Sequence, residues 1–106
     1  MERFYQLIEG EHWRFADAML TPRFRAALGA AGIRARYESL AGIDVTLQEM
    51  GPATVVAQLG GTMRNDSARR VRYIETVRLS SAGGQWAIDA IARRDVSLGR
   101  LPATSR

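Results

Sequence analysis

The chain contains no cysteine, which excludes disulfide bonds, a thiolate nucleophile and cysteine metal ligands. It has a single histidine, His12, and its eleven acidic residues are scattered, so we expect neither a bound metal nor a cofactor. No apolar run approaches the roughly 18 residues that a membrane-spanning helix requires. We therefore expect no membrane span in this chain.

Lysine is also absent, so all fifteen basic residues are arginine. A protein that grips nucleic-acid phosphates needs several basic groups that converge on one groove. Here the arginines are spread along the whole chain, and the densest group, 69–72, falls on a strand whose side chains alternate between faces. The net charge of +4 therefore does not predict a nucleic-acid partner.

The length of 106 residues predicts one domain. We assign residues 1–95 to this domain and residues 96–106, which are polar, to a C-terminal tail. The compartment stays open: the chain as written fits the cytoplasm, and a piece cut from a membrane-anchored protein fits an extracytoplasmic location.

The N-terminal part has the periodicity of short helices. Apolar residues at helical spacing predict helices over 2–9 and 11–20, and Gly10 separates the two. Thr21 followed by Pro22 is a strong N-cap signal, and it predicts a third helix over 22–31. One or two further helical turns follow over 33–40.

The remainder alternates with the two-residue period of β-strands. We predict strands over 43–50, 53–63, 69–80 and 85–92, with a glycine-containing hairpin loop over 81–84. The expected fold class is therefore α+β, with three N-terminal helices packed on a curved four-stranded antiparallel sheet.

Directly opposed residues of antiparallel strands lie on the same face, so the pairing register predicts which side chains face the helices. Pairing Leu59 with Tyr73 places Ala57 opposite Glu75. Pairing Leu79 with Trp86 places Ala90 opposite Glu75 on the other side. Glu75 is then the only charged residue on the helix-facing surface, between two alanines.

This lone carboxylate has three possible explanations. It lies at the rim of the sheet, or it pairs with an arginine from the helices, or it is the acid of a pocket, because a buried unpaired carboxylate is costly. For the third case, we expect a pocket lined by Tyr5, Tyr37, Ala57, Tyr73, Trp86 and Ala90.

The opposite face of the sheet is too apolar for a surface exposed to water. Such a face suits a second subunit or a neighbouring domain, and the alternative is an ordinary solvated face. We expect a homodimer that forms through this outer face, with these interface residues: Val56, Ile74, Arg78, Ala87 and Ile91.

Three sequence strings resemble a known family. They are residues 4–11 (FYQLIEGE), residues 19–25 (MLTPRFR) and residues 84–89 (GQWAID). Together with the order of helices before sheet, they resemble the nuclear transport factor 2-like superfamily, which includes polyketide cyclases and ketosteroid isomerases. The resemblance implies a cone-shaped α+β fold, and the closest likeness is to small accessory domains of bacteria without known catalysis.

The resemblance implies a non-catalytic domain that binds a small apolar molecule or another protein. The alternative is an enzyme of the cyclase or isomerase type that acts on a small apolar substrate. In that alternative Glu75 is the general acid or base, and Tyr5, Tyr37 or Tyr73 donates a hydrogen bond to the substrate.

Overall fold

The computed structural model describes residues 1–82 and 84–97 of the chain. Gly83 of the predicted hairpin loop and residues 98–106 of the predicted tail lie outside the described residues. Four short helices precede one four-stranded antiparallel sheet, so the structure confirms the α+β class. No helix within the described ranges is long and apolar enough to cross a membrane.

The helices are α1 (Glu2–Glu9), α2 (Trp13–Asp17), α3 (Pro22–Ala27) and α4 (Gly29–Tyr37). Helix α1 has the predicted bounds. The predicted cap of α3 is also present, because the Thr21 hydroxyl accepts a hydrogen bond from the Phe24 amide and Pro22 occupies the first turn. The prediction of one helix over 22–31 is wrong. Gly29 has a positive φ of 68°, a conformation that interrupts a right-handed helix, so α3 and α4 are separate.

The strands are β1 (Leu40–Glu49), β2 (Thr54–Met63), β3 (Asp66–Ala82) and β4 (Gln85–Asp95), and they pair in sequence order. Strand β3 is 17 residues long, so the β3–β4 hairpin is longer than predicted. The pairing register shifts once in each of the three ladders. Such bulges increase the local twist and bend of a sheet.

The helices cover one face of the sheet. Opposed pairs Leu59–Tyr73 and Ala57–Glu75 confirm the predicted register of β2 against β3. The odd-numbered residues of 55–59 in β2 and 71–79 in β3 face the helices, as predicted. The buried ones are Val55, Ala57, Leu59, Val71, Glu75 and Val77.

The predicted register of the β3–β4 hairpin is wrong. Leu79 lies opposite Ile88 rather than Trp86, because β3 continues to Ala82 and the turn is shorter than predicted. The ladder then shifts by one residue between Ile88 and Ala90, so that Glu75 lies opposite Arg93 and not Ala90.

The shift exchanges the faces of the residues that follow it in β4. Ala90 pairs with Arg78 and therefore lies on the outer face, not beside Glu75 as predicted. Ile91, predicted on the outer face, is 7% exposed and belongs to the core. Trp86, predicted to line a pocket, lies near the hairpin end of β4 and is 56% exposed.

Candidate functional site

Glu75 lies in the centre of the core and has no solvent-exposed surface. Its Oε1 accepts hydrogen bonds from the hydroxyls of Tyr5 and Tyr37, both at 2.7 Å. Its Oε2 accepts a hydrogen bond from Nε of Arg93 at 2.9 Å, which is also an ion pair. Hydrogen bonds to an ionised acceptor are about twice as strong as neutral ones. The carboxylate is therefore held from three directions by the protein itself.

Different elements supply the three donors. Tyr5 projects from α1, where neighbouring Phe4, Leu7 and Ile8 are also buried. Tyr37 ends α4, and Arg93 lies on β4 directly opposite Glu75. One carboxylate thus joins two helices and two strands.

Arg93 packs between two aromatic rings. Its guanidinium carbon lies 4.3 Å from the centre of the Tyr73 ring and 5.1 Å from that of Tyr37. An Nη2 hydrogen bond to the Arg36 carbonyl, 3.3 Å long, ties it to α4. With 22% of its side chain exposed, Arg93 connects the buried carboxylate to the surface.

The electrostatics favour neutral tyrosines. Burial raises the pKa of Tyr5 and Tyr37 far above the usual value, and the adjacent Glu75 carboxylate raises both further. Burial lowers the pKa of Arg93, but the Glu75 carboxylate outweighs this effect, so the pKa of Arg93 is raised. The four side chains form one polar cluster, Tyr5–Tyr37–Glu75–Arg93, which we call the core cluster.

The structure brings together four of the predicted pocket residues around Glu75: Tyr5 and Tyr37 by hydrogen bonds, Ala57 as its neighbour on β2, and Tyr73 through Arg93. Trp86 and Ala90 lie elsewhere. Of the three explanations for the lone carboxylate, the structure contains the ion pair. For that case we had expected an arginine from the helices, but the arginine comes from β4.

Sequence reasoning missed Arg93, although one signal was present. Ile88 and Ile91 are three residues apart, and a regular strand cannot bury both on one face. An extra residue between them lets both face the core, and it turns Arg93 inward as well.

A second polar contact joins β4 to the start of α3. The Asp89 carboxylate accepts hydrogen bonds from the Thr21 hydroxyl at 2.8 Å and from Nη2 of Arg23 at 2.6 Å. These two hydrogen bonds hold the pKa of Asp89 below its usual value, and the bond from Arg23 has the larger effect. Backbone bonds of Ile88 with Met19 and Thr21 cover the edge of β4 beside it. Two of the strings noted in the sequence, 19–25 and 84–89, therefore contact each other here.

Two grooves adjoin each other between α1 and β1. One, of about 390 Å³, is lined by Glu2, Tyr5, Gln6, Glu9, Val45 and Leu47. The other, of about 290 Å³, shares Glu9 and continues past Ile43 to Trp13 and Arg64. At its far end Nη2 of Arg64 forms an ion pair with Glu11 at 2.8 Å.

The outer face of the sheet carries four of the five residues predicted for an interface: Val56, Ile74, Arg78 and Ala87. None of the helices described lies on this face. Val56 and Ile74 are half-buried. Arg78 and Arg72, which lie on the same face of β3 as Ile74, are exposed.

No family model, curated protein or solved structure matches the chain in the comparisons with known proteins. Within residues 1–82 and 84–97, no three histidine, aspartate or glutamate side chains are grouped as metal ligands would be.

Proposed function

We propose that this chain is a non-catalytic protein-interaction domain of the nuclear transport factor 2-like type, and that it forms a homodimer through the outer face of its sheet. The observation that carries the proposal is this uncovered face, which combines apolar side chains with opposite charges that lie at the same level along the strands. The cone-shaped fold is part of the proposal. Helices on one face only and a bulge in every ladder support it.

The charges lie in one row across the sheet. Asp44 on β1 lies opposite Gly60 on β2, which in turn lies opposite Arg72 on β3. The Asp44 carboxylate leans over Gly60, where a Cβ atom would come within 3.0 Å of it. A glycine at the centre of the row also permits close approach of another surface.

This row suits a two-fold axis that runs parallel to the strands above β2. Rotation about such an axis leaves the position of each residue along the strand direction unchanged. It sets β1 of one copy over β3 of the other, as in aligned packing of two sheets. Asp44 of each protomer then faces Arg72 of its partner, and Ile74 lies among the residues that the interface covers. Complementary charges at a self-complementary face favour this pairing over others.

The core cluster supports the absence of catalysis. A general acid or base must reach a substrate, yet the Glu75 carboxylate has no exposed surface and both of its oxygens accept hydrogen bonds from the protein's own donors. Tyr5 and Tyr37 are 2% and 1% exposed, and the hydroxyls of both donate to Glu75 rather than to a ligand. The enzyme alternative thereby loses its principal residue.

Light scattering tests the dimer. We expect wild-type protein at twice the chain mass of 11.7 kDa, and Ile74→Glu at the monomer mass with an unchanged circular dichroism spectrum. Ala35→Glu, which adds the same charge at an exposed position of α4, serves as the matched control and should remain dimeric. A monomeric wild type would refute the homodimer.

Charge reversal tests the two-fold arrangement itself. Asp44→Arg and Arg72→Asp should each weaken the dimer, because like charges then face each other across the axis. The double variant should recover the wild-type mass profile. A double variant that is weaker than both single variants would contradict the proposed axis.

A further inference from the structure

One surface remains outside the core cluster and the outer face. Strand β1 is an edge strand, and between Ile43 and Glu49 its outer edge has no backbone partner among the described residues. The opposite edge, on β4, is covered at Ile88 by the segment before α3. An unpaired edge is a template for another extended chain.

The grooves between α1 and β1 lie along this edge. Their floor on the strand side is the alternating set Ile43, Val45 and Leu47, which are half-buried. From Ile43 to Leu47 the strand rises about 14 Å, enough for five residues of an extended peptide.

The helical rim of the grooves is acidic although the chain as a whole is basic. Glu2 and Glu9 are exposed at opposite ends of α1, and neither has a hydrogen-bond or ion-pair partner among the described residues. Carboxylates without partners above an apolar floor match one type of side chain. Lysine and arginine have apolar stems that pack along such a floor and cationic heads that reach the rim.

From this geometry we propose that the α1–β1 groove binds an extended peptide with lysine or arginine at every second position. The peptide backbone pairs with the free edge of β1 as a fifth strand. Alternate side chains then point toward α1, where their stems contact Val45 and Leu47 and their charges meet Glu2 and Glu9. This surface is separate from the outer face, so binding does not depend on the proposed homodimer.

The probe is a fluorescein-labelled octapeptide that alternates threonine with lysine. Fluorescence anisotropy should show saturable binding, and amide resonances of residues 43–49 should shift in the NMR spectrum. A peptide of the same composition with four consecutive lysines followed by four threonines should bind at least tenfold more weakly. Equal binding of the two peptides would indicate mere attraction between charges and would overturn the proposal.

Protein variants test the rim. Glu2→Gln combined with Glu9→Gln should weaken binding about fivefold, as expected for two partly exposed ion pairs. Glu38→Gln, which removes an exposed carboxylate of the ion pair with Arg34 far along the chain, should leave the affinity unchanged. Ile74→Glu should also bind the peptide normally, which separates this proposal from the homodimer. Unchanged binding by the double variant would refute the role of the rim.

Backbone pairing has its own test. Alternate amides of a strand point to the same edge, so N-methylation of one alternate set in the peptide should abolish binding and methylation of the other set should not. Tolerance of both sets would refute the fifth strand. If resonances of residues 43–49 instead shift with protein concentration in the Ile74→Glu variant without peptide, where the outer face no longer pairs, the occupant is a second copy of this chain and the peptide proposal fails.

Discussion

Replacing Arg93 with methionine tests the core cluster most directly. Methionine preserves most of the apolar stem but removes the charge that lies opposite the buried Glu75 carboxylate. Breaking a buried ion pair from one side is strongly destabilising, since it leaves the remaining charge without compensation.

The contacts of Arg93 give the magnitude. The bond from Nε to Glu75 is worth about 1.5–3 kcal/mol, as is typical of hydrogen bonds to charged groups. Its positions over the rings of Tyr37 and Tyr73 add about 0.5–1 kcal/mol each. Because 22% of the Arg93 side chain is exposed, we take the lower end of the 3–5 kcal/mol range for broken buried pairs and expect a loss of about 3 kcal/mol.

Urea denaturation followed by circular dichroism, at one fixed protein concentration, measures this loss. In thermal unfolding the same loss should lower the midpoint by about 12–24 °C, given 4–8 °C per kcal/mol for domains of similar size. Arg34→Met is the matched control, because Arg34 on α4 forms an exposed ion pair with Glu38, directly after the helix, and its loss should cost less than about 0.5 kcal/mol.

A double-mutant cycle with Glu75→Gln isolates the pair. Each single variant leaves one partner behind, whereas the double variant removes both charges, so its loss should be smaller than the sum by about 1.5 kcal/mol or more. A coupling near zero, or an Arg93→Met variant within 1 kcal/mol of wild type, would show that Arg93 does not compensate the buried carboxylate.

Two further predictions concern pH and the α3 cap. The pKa of Tyr5 and Tyr37 is raised in the folded state, so the contribution of these two tyrosines to the free energy of unfolding is fully present below pH 10. Above about pH 10 the unfolded chain loses these protons while the folded chain keeps them. The free energy of unfolding should therefore fall by about 1.4 kcal/mol per pH unit for each tyrosine. Urea denaturation between pH 9 and 11.5 measures this fall, and Tyr37→Phe should make it about half as steep; a stability that stays level would contradict the raised pKa values. Thr21→Val should cost about 1–2 kcal/mol in the same assay at pH 7, because it removes both the cap to Phe24 and the hydrogen bond to Asp89. Thr46→Val, at an exposed position of β1, should not be destabilising, and equal effects would exclude a role for the Thr21 hydroxyl.

The sequence alone allows much of this fold to be predicted where one local signal dominates. Helix α1 follows from its apolar periodicity, and the start of α3 follows from the Thr21–Pro22 cap. The face that β2 and β3 turn toward the helices follows from alternation, because a slip of one residue would move the apolar residues to the other face.

The hairpin register could not be derived in the same way. Strand β4 is rich in alanine, and regular alternation would place one isoleucine on each of its faces, so alternation alone does not select a register. The bulge is fixed by contacts distant in sequence, those of Ile88 and Asp89 with the segment from Met19 to Arg23. The partner of Glu75 depends on that bulge, and so a glutamate correctly placed on the inner face was given the wrong neighbour.

The bulge at Asp89 has two effects: it helps to cover one edge of the sheet, and it brings a positive charge to the buried Glu75 carboxylate. It turns the Asp89 carboxylate toward Thr21 and Arg23, which holds the start of α3 against β4. By adding one residue, it also brings Arg93 to the inner face, where the arginine meets Glu75. A regular β4 would leave that carboxylate buried opposite an alanine. Strand β1 has no equivalent cover along its outer edge among the described residues, and this asymmetry is the reason that we place the peptide-binding surface beside β1 rather than β4.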